Sequence, residues 1–194
     1  MKWTAIVPWK QGPDTKSRLR GVLDLTQRMA LAAAMARHVI HRLAEVDAIG
    51  SVYLLAPTAA AGWPCQWLPD DRRGLNYGIA TARHRLGMQR FVIVHADLPM
   101  LAKGDVECLL AAAEKAGAAF APDRHGRGTN ALALADSDPF EFVFGQDSFI
   151  RHRGQRIGAV VVENRGLGFD IDLPTDLQEA MAQNSACEQV LALQ

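Results

Sequence analysis

A surplus of charge of either sign is missing from this sequence. Lys plus Arg number 21 and Asp plus Glu number 21, so the formal net charge is zero. That argues against a nucleic-acid or anionic-membrane binder working by bulk charge, and an anionic small molecule would need a local basic cluster. Cysteine is scarce as well. Cys65, Cys108 and Cys187 stand far apart with no CxxC and no Cys/His ligand spacing, which fits a reduced, cytoplasmic compartment. The apolar run in the opening "MKWTAIVPWKQ" is too short for a signal region or a membrane span. There is no GxxxxGK[ST], no GxGxxG and no GxSxG, so no Walker A loop, dinucleotide fingerprint or nucleophile elbow is written here. The histidines show no metal spacing, and His95 and His152 read as structural or surface residues.

What the sequence does have is alternation. Short β-rich runs at 3–9, 51–57, 65–69, 90–96, 118–122, 130–135, 158–164 and 169–172 are separated by stretches with helical spacing at 26–47, 74–87, 106–115 and 175–182. A further short helix is expected after the turn at 144–148. The expected fold is α/β: three layers, Rossmann-like, with a mostly parallel central sheet and helices on both faces. With no linker, repeat or low-complexity segment, 1–194 reads as a single domain. Ligands of such sheets bind beyond the carboxyl ends of the strands, so the residues after each strand are the ones to inspect.

The first strand exits into "PWKQGPDTKSRLRG", where Lys10, Lys16, Arg18 and Arg20 surround Gly12 and Pro13. A turn of this kind exposes backbone N–H groups, and the cations supply charge for phosphates. A plain solvated basic loop explains the same residues equally well. Asp97 ends the most apolar strand, and Pro99 forbids its continuation. Asp170 and Asp172 share one face if "FDID" is extended, although acids just before Pro174 would also suit a helix N-terminus. If these carboxylates converge, mutual repulsion demands a cation, and an all-oxygen donor set suits Mg²⁺. Gly74 and Asn76 open a helix whose N–H groups can receive an anion. "DRHGRGTNAL" and "FGQDSFIRH" are turn-rich segments that read individually as plain turns or caps.

In order along the chain, "IVPWK…KSRL", "GLN", "ADLPM", "DR…GRGTNAL", "FGQDSFIRH" and "DIDLPTDL" resemble the guanylyltransferases of coenzyme F-420 biosynthesis. That family couples GTP to 2-phospho-L-lactate, phosphoenolpyruvate or 3-phospho-D-glycerate and releases pyrophosphate. The resemblance spans about residues 5–177. It implies a nucleotide-diphospho-sugar-transferase-like fold and the following roles. Lys10, Lys16 and Arg18 would meet the triphosphate, Lys16 and Arg18 with Asp97 forming the catalytic set. Gly74 and Asn76 would lie at the nucleoside. Asp97, Asp170 and Asp172 would hold Mg²⁺, and Thr129, Gly145 and Ser148 would line the acid's pocket. The implied partners are GTP and a small phosphorylated carboxylic acid, with no nucleic acid and no membrane. Oligomeric state is left open, a homodimer included. Two departures from the family pattern stand out: Trp9 replaces a small aliphatic residue, and Leu173 replaces a Thr that would cap the last helix, predicting a weaker cap there. Other nucleotidyltransferases of the fold, molybdopterin guanylyltransferases or sugar-phosphate enzymes, share the acids and cations, a glycosyltransferase shares the DxD, and a non-catalytic GTP-binding module would need no more than these.

Overall fold

A computed structural model describes residues 1–87 and 90–182; Cys187 and the end of the chain lie outside the described residues. β1 (Trp3–Pro8) is almost wholly buried, as a strand covered on both faces must be. It pairs in parallel with β2 (Ile49–Ala56) on one side and with β4 (Phe91–Val94) on the other. β3 (Gln66–Pro69) extends the sheet beyond β2, also in parallel. On the far side β6 (Thr129–Leu134) runs antiparallel to both β4 and β5 (Ala118–Pro122), and β7 (Val160–Val161) closes that edge in parallel with β5. The order is β3-β2-β1-β4-β6-β5-β7, a seven-stranded, mostly parallel sheet.

Alternation along the strands feeds two cores. Ala5, Val7, Leu54, Val92 and Val94 face α1 (Leu25–Ala44) and α3 (Lys103–Ala116) through Val39, Leu43, Val106 and Leu109. Ile6, Leu55, Phe91, Ile93 and Phe120 face the opposite layer, where α2 (Leu75–Leu86) and α4 (Ser148–Gln155) contribute Ile79, Ala82 and Phe149. At its N-terminus α1 carries a full capping box, in which Asp24 Oδ1 accepts from the Gln27 N–H at 2.8 Å and Gln27 Oε1 accepts from the Asp24 N–H at 2.9 Å. α2 opens at Gly74 and ends at Gly87, as its flanking glycines predict.

Two predicted strands differ from the structure. The run 158–164 forms a strand only at Val160–Val161, because β7 is an edge with one neighbour. "FDID" is not a strand at all. It is irregular chain between the short α5 (Arg165–Gly168) and α6 (Pro174–Ala182), tied to the sheet by the Ile171 N–H donating to the Asp97 carbonyl. A third apolar cluster fixes it there: Phe169 and Ile171 pack with Leu19, Leu31, Met35 and Leu177. The weak cap expected at Leu173 is compensated from inside the helix. Asp176 Oδ2 accepts from the N–H groups of Leu173, at 2.6 Å, and Asp172, at 2.9 Å, which gives half of a capping box without a hydroxyl.

Among the described residues no helix is long and apolar enough to cross a membrane.

Candidate active site

The chain from β1 leads to β2 on one side, and the chain from α2 returns to β4 on the other. The strand order therefore reverses between β1 and β4, the place where open α/β sheets hold ligands. A cavity of about 740 Å³ opens there, lined by residues 8–18 after β1, Pro57 after β2, Asp70, Arg72 and Gly74 after β3, and His95, Ala96 and Asp97 after β4. That volume is in the range of small-molecule sites.

Lys16 is the centre of its floor. Its Nζ donates to Asp97 Oδ2 at 2.6 Å and to Asp172 Oδ1 at 2.9 Å, and Arg18 Nη1 donates to Asp172 Oδ2 at 3.0 Å. Burial opposes the Lys16 charge, but the two carboxylates outweigh it and lift its pKa above the ordinary lysine range. Asp97 is the mirror case. Burial pushes it up, the Lys16 ammonium pulls it down further, and the net shift is downward. Lys16 reaches this position from a left-handed backbone, φ 46°, a conformation costing a non-glycine residue about 1–3 kcal/mol. The loop is braced from below by Arg28, a buried residue of α1 whose Nη1 donates to the Thr15 carbonyl at 3.0 Å. Arg28 gives no sequence signal, because a charged residue in an amphipathic helix reads as solvated surface.

Asp170 completes the acidic group. One carboxylate oxygen from each of Asp97, Asp170 and Asp172 lies within 4.8 Å of the others. Burial first, and then the Asp97 charge, push Asp170 up to about 6, against the Asn130 Nδ2 donated to its Oδ1 at 3.2 Å. The group fits a hard divalent cation on three counts. Its donors are all oxygen, its charge is incompletely neutralised at Asp170, and Asp97 Oδ1 is buried without a hydrogen-bond partner among the described residues. The DxD is held in place by Asp176, which Arg124 also engages. Asn130, Asp176 and Arg124 were all missed by sequence reasoning. All three stand in the segments that carry the family resemblance, "DR…GRGTNAL" and "DIDLPTDL", but no role followed from the sequence.

The remaining expected residues fall into two groups. Lys10 and Gly74 line the cavity with Lys16 and Arg18. Trp9 lines it too, its ring 5.1 Å from that of Trp63, so the bulky departure is absorbed by a second indole. Asn76 is outside the lining. Its Oδ1 accepts from the Phe144 N–H at 2.7 Å and its Nδ2 donates to the Phe144 carbonyl at 3.1 Å, clamping the chain before Gly145 onto α2. Thr129 and Ser148 are buried side by side. Ser148 Oγ donates to Thr129 Oγ1 at 3.3 Å, and Thr129 Oγ1 is 3.0 Å from His152 Nδ1. His152 Nε2 accepts from the Val143 N–H at 3.0 Å, so this histidine is structural. Gly145 is exposed at φ 120°, a conformation that favours glycine.

Residues 3–189 match the family described as "Guanylyl transferase CofC like". A phosphoenolpyruvate guanylyltransferase of Sphaerobacter thermophilus is 37% identical over 191 residues, covering 92% of each chain. One from Chloroflexus aggregans is 35% identical, covering 86% of this chain and 90% of its own. The fold is shared with a crystal structure from Desulfovibrio desulfuricans G20 assigned as a nucleotide-diphospho-sugar transferase, with a TM-score of 0.75 at 16% identity, covering 100% of this chain and 94% of that one. It is also shared with CMP:2-keto-3-deoxy-manno-octonic acid synthetase complexed with CTP, with a TM-score of 0.56 at 16% identity, covering 94% and 99%. The seven-stranded α/β sheet, the matched profile and these relatives together establish that the chain is a nucleotidyltransferase and belongs to the CofC-like guanylyltransferase family.

Proposed function

We propose that the protein transfers GMP from GTP to the phosphate of a small phospho-carboxylic acid, phosphoenolpyruvate first among the candidates, as a step of coenzyme F-420 biosynthesis. The activity for which its relatives are named supports that acceptor over 2-phospho-L-lactate and 3-phospho-D-glycerate. The observation carrying the reading is the Lys16–Asp97–Asp172 cluster, with Asp170 beside it, on the floor of a cavity whose entry loop also holds Lys10 and Arg18.

An acceptor phosphate oxygen forms a bond to the α-phosphorus of GTP, the bond from that phosphorus to the bridging oxygen breaks, and pyrophosphate leaves with the electron pair. A phosphomonoester has its second pKa near 6, so the nucleophile is already ionised at neutral pH and no general base is needed. Catalysis then consists of positioning and charge neutralisation. Lys10, Lys16 and Arg18 meet the triphosphate, and Lys16 is the cation closest to the acids. Asp97, Asp170 and Asp172 would hold Mg²⁺, which supplies Lewis-acid neutralisation of phosphate oxygens. Gly145 offers its exposed backbone to the acceptor, while the Ser148–Thr129–His152 network underneath fixes that turn.

Pyrophosphate release tests the reading. With Mg²⁺, GTP should support turnover with phosphoenolpyruvate and exceed ATP, CTP and UTP. Absence of release with each of the three phospho-acids would overturn it.

A further inference from the structure

The cavity has a direction. It runs along the carboxyl rim from the tip of β3, across β2 and β1, to the tip of β4. Three interstrand spacings separate its ends, about 14 Å. The cations and the triple-acid group lie at the β1–β4 end. A triphosphate bound there must send its nucleoside toward β2 and β3.

At that opposite end stands Asp70. Four carboxylates line the cavity, and three are engaged by cations: Asp14 by Arg20, Asp97 by Lys16, and Asp172 by Lys16 and Arg18. Asp70 forms no ion pair among the described residues. Its Oδ1 accepts the Arg72 N–H at 3.0 Å, which holds Arg72 in a left-handed turn at φ 62° and fixes the carboxylate plane. Its backbone N–H donates to the Ala56 carbonyl, so the residue is anchored to the sheet. Oδ2 has no hydrogen bond among the described residues. An unpaired carboxylate cannot favour a phosphate; it favours N–H donors. Guanine offers two on one edge, N1–H and the 2-amino group, whereas adenine and the pyrimidines do not present that pair.

We propose that Asp70 is the residue that selects guanine, its carboxylate accepting from the N1–H and 2-amino groups of the base. The inference rests on the guanylyltransfer reading and adds to it the residue that reads the base. An amide at position 70 can keep the Arg72 bond through its oxygen while presenting an N–H to the base. It then meets the guanine 2-amino group donor to donor, but the 2-oxo group of xanthine donor to acceptor.

The test compares the full-length protein with Asp70→Asn, using GTP, ITP, XTP and ATP with Mg²⁺ and phosphoenolpyruvate. In the unaltered protein ITP, which lacks the 2-amino group, should fall well below GTP in kcat/KM. Asp70→Asn should lose on the order of 100-fold toward GTP and come to prefer XTP. A uniform fall across all nucleotides, as a ribose or purely structural role gives, overturns the proposal, as does an unchanged GTP-to-XTP ratio. Calorimetric affinities of the same nucleotides need no acceptor, so they separate failure of base selection from failure of the acceptor assignment. If the variant does not fold, equal affinity of the unaltered protein for GTP and ITP overturns the proposal by itself.

Discussion

Two ends of one rim use similar residues in opposite ways. Past β1 and β4, Lys16, Asp97, Asp170 and Asp172 form a charged group with a strained lysine backbone and a buried, unpartnered carboxylate oxygen. Near β6 and α4, Asn76 is bonded on both sides to the Phe144 backbone, while Thr129, Ser148 and His152 are bonded in a chain that ends on the Val143 N–H. The first region keeps bonding capacity and strain in hand for a ligand; the second has used its capacity to hold a turn. Polar residues after strands are thus of two kinds, and residual bonding capacity, rather than residue type, separates them.

The largest test of that contrast is Asp97→Asn. Removing a charge from the reacting centre should cut turnover about 1,000-fold, read by pyrophosphate release. Turnover within tenfold of the unaltered protein would place the chemistry elsewhere.

Next in size is acid sensitivity in the bonded region. Burial, followed by the Arg151 charge, holds His152 down to about 4. An unfolded imidazole titrates near 6.5, so between these values the unfolded chain binds more protons. This contribution is present above about pH 6.5 and is lost as pH falls toward 4. It amounts to on the order of 3 kcal/mol. Urea midpoints at pH 7.5 and 4.5 should therefore differ less in His152→Gln than in the unaltered protein; equal differences would show that neutral His152 does not hold this region.

The smallest effect is expected at Ser148→Ala, which removes one buried hydroxyl donor but leaves the Thr129–His152 contact. Stability should drop by about 1 kcal/mol, while KM for the acceptor rises less than tenfold. A larger rise in KM with unchanged stability would make the hydroxyl itself a ligand group and erase the contrast between the two regions.

Legibility in the sequence follows the range of the forces involved. Flanking glycines located α2 between Gly74 and Gly87, and a short apolar run located β5 at 118–122, because both are set by neighbours in the chain. The cations after β1 and the acids at 97, 170 and 172 were visible as residue types in loops. Their meeting was implied by the family resemblance alone, and it comes about differently from the extended "FDID" considered from the sequence. Irregular chain carries Asp170 and Asp172 to Asp97 through one backbone bond and an apolar cluster. Arg28 and Asp70 had no signal, and Asn130 stood in the family pattern without a role, since each acts on a partner 13 to 40 residues away or on a cavity assembled from four strands.

The sequence by itself determined the α/β alternation, the strand exits that carry charge and the family pattern, because local backbone preference and hydrophobic period are properties of short segments. Tertiary structure alone decided that Lys16 sits between Asp97 and Asp172, that Thr129 and Ser148 face each other, and that Asp70 keeps an oxygen free. Ion pairing, desolvation and residual hydrogen-bond capacity depend on what lies across space, and the strand order, reversing between β1 and β4, is what brings those groups together.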